Sequence, residues 1–145
     1  MKFGLREFKR SFFDRETVTR AVDLATRRVL SKFGAFVRTT ARSSLRRRKR
    51  VSEPGQPPSS HTGLVKRFLF FGYEAVRKSV IVGPAKLNKP EPRVLEHLEH
   101  GGRVRRRNAR TRKLETHVYR ARPFMGPALK KELPKLPAMW RNSIK

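Results

Sequence analysis

Positive charge constrains this chain more than any other feature of its sequence. It carries 37 Lys and Arg residues against 11 Asp and Glu, a formal net charge of +26 at pH 7. That balance excludes an ordinary acidic cytosolic enzyme. Hydrophobic residues make up 37% of the chain, below the roughly 45–50% of typical globular domains, so we expect a single domain with a small core. The chain has no cysteine, which excludes disulfide frameworks, thiolate zinc sites and thiol nucleophiles.

The charge is concentrated towards the two ends of the chain. Residues 1–50 hold 16 basic and 4 acidic side chains and residues 101–145 hold 14 and 2, whereas residues 51–100 hold 7 and 5. The densest runs need an acidic protein, nucleic acid or open solvent around them, because they cannot pack against themselves without a counter-charge. The basic residues of these runs are Arg46, Arg47, Arg48, Lys49, Arg50, Arg103, Arg105, Arg106, Arg107, Arg110, Arg112 and Lys113.

Apolar residues recur at three- and four-residue steps from Glu16 to about Leu45, which predicts a long amphipathic helix. Asp14 is a candidate N-cap, which places the helix start between Asp14 and Glu16. Gly34 marks either a bend or a close packing contact. The following segment, 51–62, contains three Pro, one Gly and three Ser and is therefore a long loop. We expect residues 46–62 and 103–113 to be mobile loops.

The rest of the chain predicts a small antiparallel sheet and short helices. Aromatic and β-branched residues indicate strands over 64–71 and 76–82 with a turn near Gly72, and a third strand over 114–121. Short helices are expected over 93–100, ended by Gly101 and Gly102, and over 123–133. Residues 134–145 are expected to be an extended tail, because Pro134 and Pro137 interrupt them. The predicted fold class is α+β.

No pattern in the sequence indicates catalysis or a cofactor. His97 and His100 lie three residues apart beside two glutamates, but no second ligand pair has the spacing of a metal site. The segment 59–62 combines Ser, His and Thr in a Pro-rich loop that has no element to hold it rigid. We therefore expect no enzyme, no cofactor and no metal. Activity lost on changing His61, His97 or His100 would be the sign of an enzyme.

An ordered series of short motifs carries a family resemblance. The segments are 55–58 (GQPP), 61–64 (HTGL), 82–84 (VGP), 94–97 (VLEH) with 101–102 (GG), and 119–129 (YRARPFMGPAL). In this order and spacing the chain resembles the tail-component family of long-tailed bacteriophages, whose members are called tail completion, neck or head-tail joining proteins. The resemblance extends from the long helix to about Leu133. The family-motif residues with a structural role are Pro58, His61, Thr62, Gly63, Gly83, Glu96, Gly101, Gly102, Arg122, Pro123, Phe124 and Pro127.

The resemblance implies a non-enzymatic virion protein that assembles as a homo-oligomeric ring, commonly a hexamer, between the capsid connector and the tail tube. Its implied partners are connector or stopper proteins, tail tube or terminator proteins, and packaged DNA in the channel. It would be made in the host cytoplasm and act in the virion. Its position as completion, terminator or stopper protein stays open, as does a copy number of six or twelve. We expect Phe124 to be buried in the core.

The alternative is a basic nucleic-acid-binding protein, such as a packaging or ribosome-associated factor, because so positive a chain binds polyanions in a salt-dependent way. No helix-turn-helix, zinc finger or stacking platform accompanies the charge. A membrane role is not expected, since no stretch approaches the roughly 18 apolar residues of a span. The first ten residues also lack the apolar segment of a signal peptide.

Overall fold

The computed structural model describes residues 14–85 and 94–144, and the predictions made for the first ten residues and for Arg93 lie outside them. Within these ranges the fold is α+β, as predicted. The strands form two separate two-stranded antiparallel sheets instead of one sheet. In chain order the elements are α1 (Arg15–Ser44), α2 (Leu64–Arg67), β1 (Leu69–Glu74), β2 (Ser79–Pro84), α3 (Val94–His100), β3 (Gly102–Arg107), β4 (Leu114–Tyr119), α4 (Met125–Glu132), a 3-10 helix (Leu133–Lys135) and α5 (Leu136–Trp140).

Helix α1 has the boundaries that its sequence predicts. It begins at Arg15 because the Asp14 carboxylate caps it, with Asp14 Oδ1 accepting the Thr17 N–H at 3.1 Å. It ends at Leu45, whose backbone is extended. The apolar stripe of α1 packs on β1, β2 and α4. The resulting core consists of Phe33, Val37, Ala41, Leu45, Leu69, Phe124 and Ala128.

Gly34 is the point at which α1 lies closest to the first sheet. A β-carbon at this position would lie 2.5 Å from Cγ2 of Val80 and 3.1 Å from the Phe71 ring. Of the two roles expected for Gly34, a close packing contact is therefore the correct one. A larger side chain here would push the helix away from the sheet and open the core beneath it.

In the first hairpin, formed by β1 and β2, the strands lie at other positions than the sequence predicts. Residues 64–67 form a helical turn, because Gly63 adopts a left-handed conformation (φ +76°) and its carbonyl accepts the Arg67 N–H at 2.9 Å. The strand begins only at Leu69. Gly72 lies within β1, opposite Ile81, and the turn falls at residues 75–78, where Lys78 takes the positive φ. The prediction, which rested on Gly72, therefore placed the turn several residues too early.

Two further predictions are wrong in their secondary structure. Residues 103–107 form strand β3 instead of a loop, since they pair in register with β4 from Gly102 opposite Tyr119 to Arg107 opposite Leu114. Residues 134–140 are helical instead of extended. Pro134 and Pro137 occupy first-turn positions, where the missing N–H has no helical partner to lose. Leu136 and Met139 then pack against the core.

The Pro-rich segment that follows α1 lies against the core. Its residue Ser60 is buried and donates its backbone N–H to the Arg46 carbonyl at 3.0 Å. Pro58 is also buried. These contacts hold part of the segment 46–62 against the core. That the segment is mobile stays a prediction.

Candidate functional site

Three segments that are distant in sequence, and that contain or adjoin parts of the motif series, meet at one place, which we call the junction: residues 52–55, 98–102 and 121–126. Arg122 holds all three together. Its backbone N–H donates to the Leu98 carbonyl at 2.6 Å and its Nε donates to the Ser52 carbonyl at 2.9 Å. The Gly55 N–H donates to the Ala121 carbonyl at 2.9 Å. The junction therefore joins the Pro-rich loop, α3 and the start of α4 through backbone groups.

Within the junction, the Glu99 carboxylate accepts three hydrogen bonds. Its Oε2 accepts the N–H groups of Phe124 (2.9 Å) and Met125 (3.1 Å), and its Oε1 accepts that of Gly126 (2.7 Å). These N–H groups begin α4 and have no partner inside the helix, so a carboxylate from α3 caps α4 and opposes the positive end of its dipole. In the sequence Glu99 stands out only as a neighbour of His97, because its partners lie 25 to 27 residues away.

Two glycines set the direction in which the second hairpin, formed by β3 and β4, leaves α3. Gly101 has φ +77°, and a β-carbon there would lie 3.2 Å from both the Ala121 nitrogen and the Tyr119 carbonyl oxygen. Gly102 has φ +150°, and a β-carbon there would lie 2.5 Å from the His97 ring. His97 packs edge-on against Tyr119, with ring centroids 6.3 Å apart. The hairpin therefore leaves α3 in one direction, set by two positions that exclude side chains.

The other motif residues take several environments. Phe124 is 2% exposed and lies in the core, as predicted. His61, Thr62 and Glu96 are exposed, and Gly83 lies opposite Phe70 in the first sheet. Pro123 is half-buried at the start of α4, and Pro127 is exposed in the first turn of that helix.

A cleft of about 510 Å³ lies between the end of α1, the Pro-rich loop and α4. Three cationic side chains line it: Arg46, Arg48 and Lys131. Four hydroxyl side chains also line it, and none of the described residues in its wall is Asp or Glu. We call it the basic cleft. Its lining gives it positive potential, which suits a carboxylate or another oxyanion.

The wall of the basic cleft is also partly apolar. Pro57, Pro58 and Pro127 line it, together with the core residues Phe124 and Ala128. A surface that combines proline with cations suits a polypeptide that carries acidic and apolar side chains next to each other. The charge runs of the sequence single out Arg46 and Arg48 but not Lys131, which lies on α4.

Beside the basic cleft, the buried carboxylate of Glu132 links α1 to the C-terminal region. Lys135 Nζ contacts Glu132 Oε2 at 2.6 Å, and Thr40 Oγ1 donates to Glu132 Oε1 at 2.7 Å. The hydrogen bond from Lys135, followed by that from Thr40, lowers the pKa of Glu132 below its usual value. The charged form of Glu132 therefore stabilises the fold.

This pKa shift predicts a loss of stability in acid. Because the folded-state pKa of Glu132 is lowered, its contribution is complete above the usual carboxyl range of about pH 4 and declines as the pH falls through the folded-state value. We expect Glu132→Gln to lower the free energy of unfolding at pH 7 and to make it less dependent on pH below that range. Urea titrations of both proteins between pH 7 and pH 3 measure the difference, and parallel curves would contradict it.

The remaining predicted contact residues lie along the second hairpin. Arg103, Arg105, Arg106 and Arg107 lie on β3, and Arg110, Arg112 and Lys113 lie in the turn that connects β3 to β4. All seven are exposed. Arg46 to Arg50 are exposed as well and follow directly after α1. Of the two basic runs, the one that follows α1 contributes to the basic cleft, through Arg46 and Arg48.

Comparison with known proteins gave no relative: no family model, no curated protein and no solved structure matches this chain. Within residues 14–85 and 94–144, no group of three or more His, Asp or Glu side chains could hold a metal ion. In the same ranges, no helix has both the length and the apolar character needed to cross a bilayer.

Proposed function

We propose that this protein is a structural component of the head-tail joint of a long-tailed bacteriophage, where it forms a ring around the DNA channel. The observation that supports this proposal best is the junction. Segments that are far apart in sequence and contain or adjoin parts of the motif series are joined there through Arg122 and Glu99. An architectural subunit needs such a rigid connection between the surfaces it presents to different partners.

The basic cleft would accept an acidic segment from the connector or the tail tube. Its three cations supply the charge that attracts such a segment, and the prolines of its wall supply apolar contact. A protein with 37 basic and 11 acidic residues has few carboxylates to offer to its own copies. We therefore assign the basic cleft to a different, acidic partner protein and not to the neighbouring subunit.

Contacts between copies in the ring would use the outer face of the first sheet. Phe70 and Ile81 lie on this face and are 50% and 62% exposed. The sheet has only two strands, so each strand also has an unpaired edge. Exposed apolar side chains beside open strand edges are a suitable surface for a second copy of the chain.

The proposal is tested by disrupting the gene for this protein in the phage genome. We expect electron microscopy of the lysate to show DNA-filled capsids and separate tails, with joined particles restored when the protein is supplied from a plasmid. Purified wild-type particles should contain the protein as a closed ring. Normal joined particles without the gene, or particles that lack the protein, would refute the proposal.

The second candidate is a basic nucleic-acid-binding protein of the packaging or ribosome-associated kind. The exposed arginines of the second hairpin favour it, since Arg103, Arg105 and Arg107 have no carboxylate partner among the residues that the structure describes. Stoichiometry separates the two candidates. A closed ring in virions supports the joint, whereas monomers distributed along cellular nucleic acid support the alternative.

A further inference from the structure

The two faces of the second hairpin differ in charge. Residues directly opposite each other in an antiparallel pair lie on the same face, and side chains alternate between faces along each strand. The register therefore places Arg103, Arg105 and Arg107 on one face, with Val118, Thr116 and Leu114 opposite them. We call this the arginine face. It contains no acidic residue.

Glu115, the one carboxylate of the segment 102–119, lies on the other face. It is opposite Arg106 in the register. It also accepts a hydrogen bond from Asn108 Nδ2 at 2.7 Å, and its Oε2 lies 3.9 Å from His117 Nε2. The negative charge of the hairpin is thus engaged away from the arginine face, and the charge on that face is not neutralised from within the hairpin.

The turn at the end of the hairpin is ordered by the side chain and backbone of Asn108. Asn108 Oδ1 accepts the N–H groups of Arg110 (2.9 Å) and Thr111 (3.3 Å). The Asn108 carbonyl accepts the Arg112 N–H at 2.9 Å, and its own N–H donates to the Lys113 carbonyl at 2.9 Å. This turn presents Arg110, Arg112 and Lys113 in continuation of β3, so the positive charge extends beyond the arginine face.

We infer that the arginine face binds the phosphate backbone of double-stranded DNA without reading its sequence. Alternate residues of a strand are about 6.6–6.8 Å apart, so the three arginines leave the backbone at even intervals along one face. An evenly spaced row of cations matches a polymer with evenly spaced phosphates, whereas carboxylates on a protein surface have no such repeat. A two-stranded ribbon also fits the major groove, which is about 12 Å wide.

This inference does not depend on the proposed function, because it holds for DNA in a virion channel and for cellular DNA alike. Taken together with the proposed function, which gives the basic cleft a protein partner, it assigns different partners to the two basic surfaces. The hairpin contacts DNA, and the basic cleft contacts protein. A chain that bound DNA through its overall positive charge would not distinguish the arginine face from the basic cleft. The test therefore removes the same number of charges from each surface and compares the two results.

Two triple variants of the full chain provide the matched comparison: Arg103→Gln/Arg105→Gln/Arg107→Gln and Arg46→Gln/Arg47→Gln/Arg48→Gln. Binding to a labelled duplex of about 20 base pairs is measured by fluorescence anisotropy at several salt concentrations. We expect the hairpin variant to bind about ten- to a hundredfold more weakly at about 150 mM salt, and its plot of log affinity against log salt to be shallower by about 2.7. The control variant should change both quantities much less.

Two further measurements distinguish a DNA site from a surface that attracts any polyanion. Replacement of the same three arginines by Lys should restore the salt dependence, since the slope depends on the number of phosphates neutralised and not on whether Arg or Lys neutralises them. Polyglutamate serves as a model acidic protein, and the hairpin variant should bind it as the wild type does. Equal losses in the two Gln variants would overturn the inference. A loss of polyglutamate binding without a loss of duplex binding would overturn it as well.

Discussion

Replacement of Phe124 by Ala is expected to lower the free energy of unfolding by about 3–5 kcal/mol, the usual cost of removing a buried phenylalanine ring. The ring is 2% exposed and packs in the core with Phe33, Val37, Leu45 and Leu69. A small core has few other contacts to compensate for the cavity. Urea denaturation followed by circular dichroism measures the change.

Phe70→Ala is the matched control for this prediction. It removes the same ring from the outer face of the first sheet, where Phe70 is 50% exposed, so we expect a cost of about 1 kcal/mol or less. A Phe124→Ala protein that unfolds like the wild type and fails only in assembly would show that Phe124 acts at an interface. That result would contradict its position in the core.

Glu99→Ala is expected to lower the free energy of unfolding by about 1.5–3 kcal/mol, the range for hydrogen bonds to a charged group. The variant leaves the N–H groups of Phe124, Met125 and Gly126 without their acceptor and removes the negative charge at the start of α4. The loss should be accompanied by faster amide hydrogen exchange in the first turn of α4, because that turn loses its attachment to α3.

Glu53→Ala removes the same charge from an exposed position in the Pro-rich loop and serves as the control. We expect it to change stability by no more than about 0.5 kcal/mol. Equal effects of the two substitutions would mean that net charge, and not the cap on α4, is responsible. Glu99→Gln should fall between them, since an amide oxygen accepts hydrogen bonds more weakly than a carboxylate.

The elements that the sequence predicts best are those whose signal is local. The apolar period of α1 and the capping carboxylate of Asp14 lie within the helix or directly beside it, and both ends of α1 match the prediction. The segment 121–124 connects the last strand to the C-terminal helix, and the expectation that Phe124 lies in the core rests on that position. These signals need no knowledge of which distant segments come together.

The features that were missed depend on distant partners or on weak periodicity. In β3 the only apolar side chain is Val104, so alternation is nearly invisible there, and pairing with β4 is what makes the segment a strand. Glu99 acquires its role only when α4 starts beside it. The basic cleft combines Arg46 and Arg48 with Lys131, a set that no spacing rule could identify.

The bonds of Arg122 and Glu99 also have a mechanical consequence for the second hairpin. The chain leaves β4 at Tyr119 and reaches the backbone bond between Arg122 and Leu98 within three residues. A force on the far end of the hairpin therefore passes directly into α3 and α4, with no slack segment to absorb it. Tension on DNA held by that end would load the part of the molecule in which Phe124 is packed.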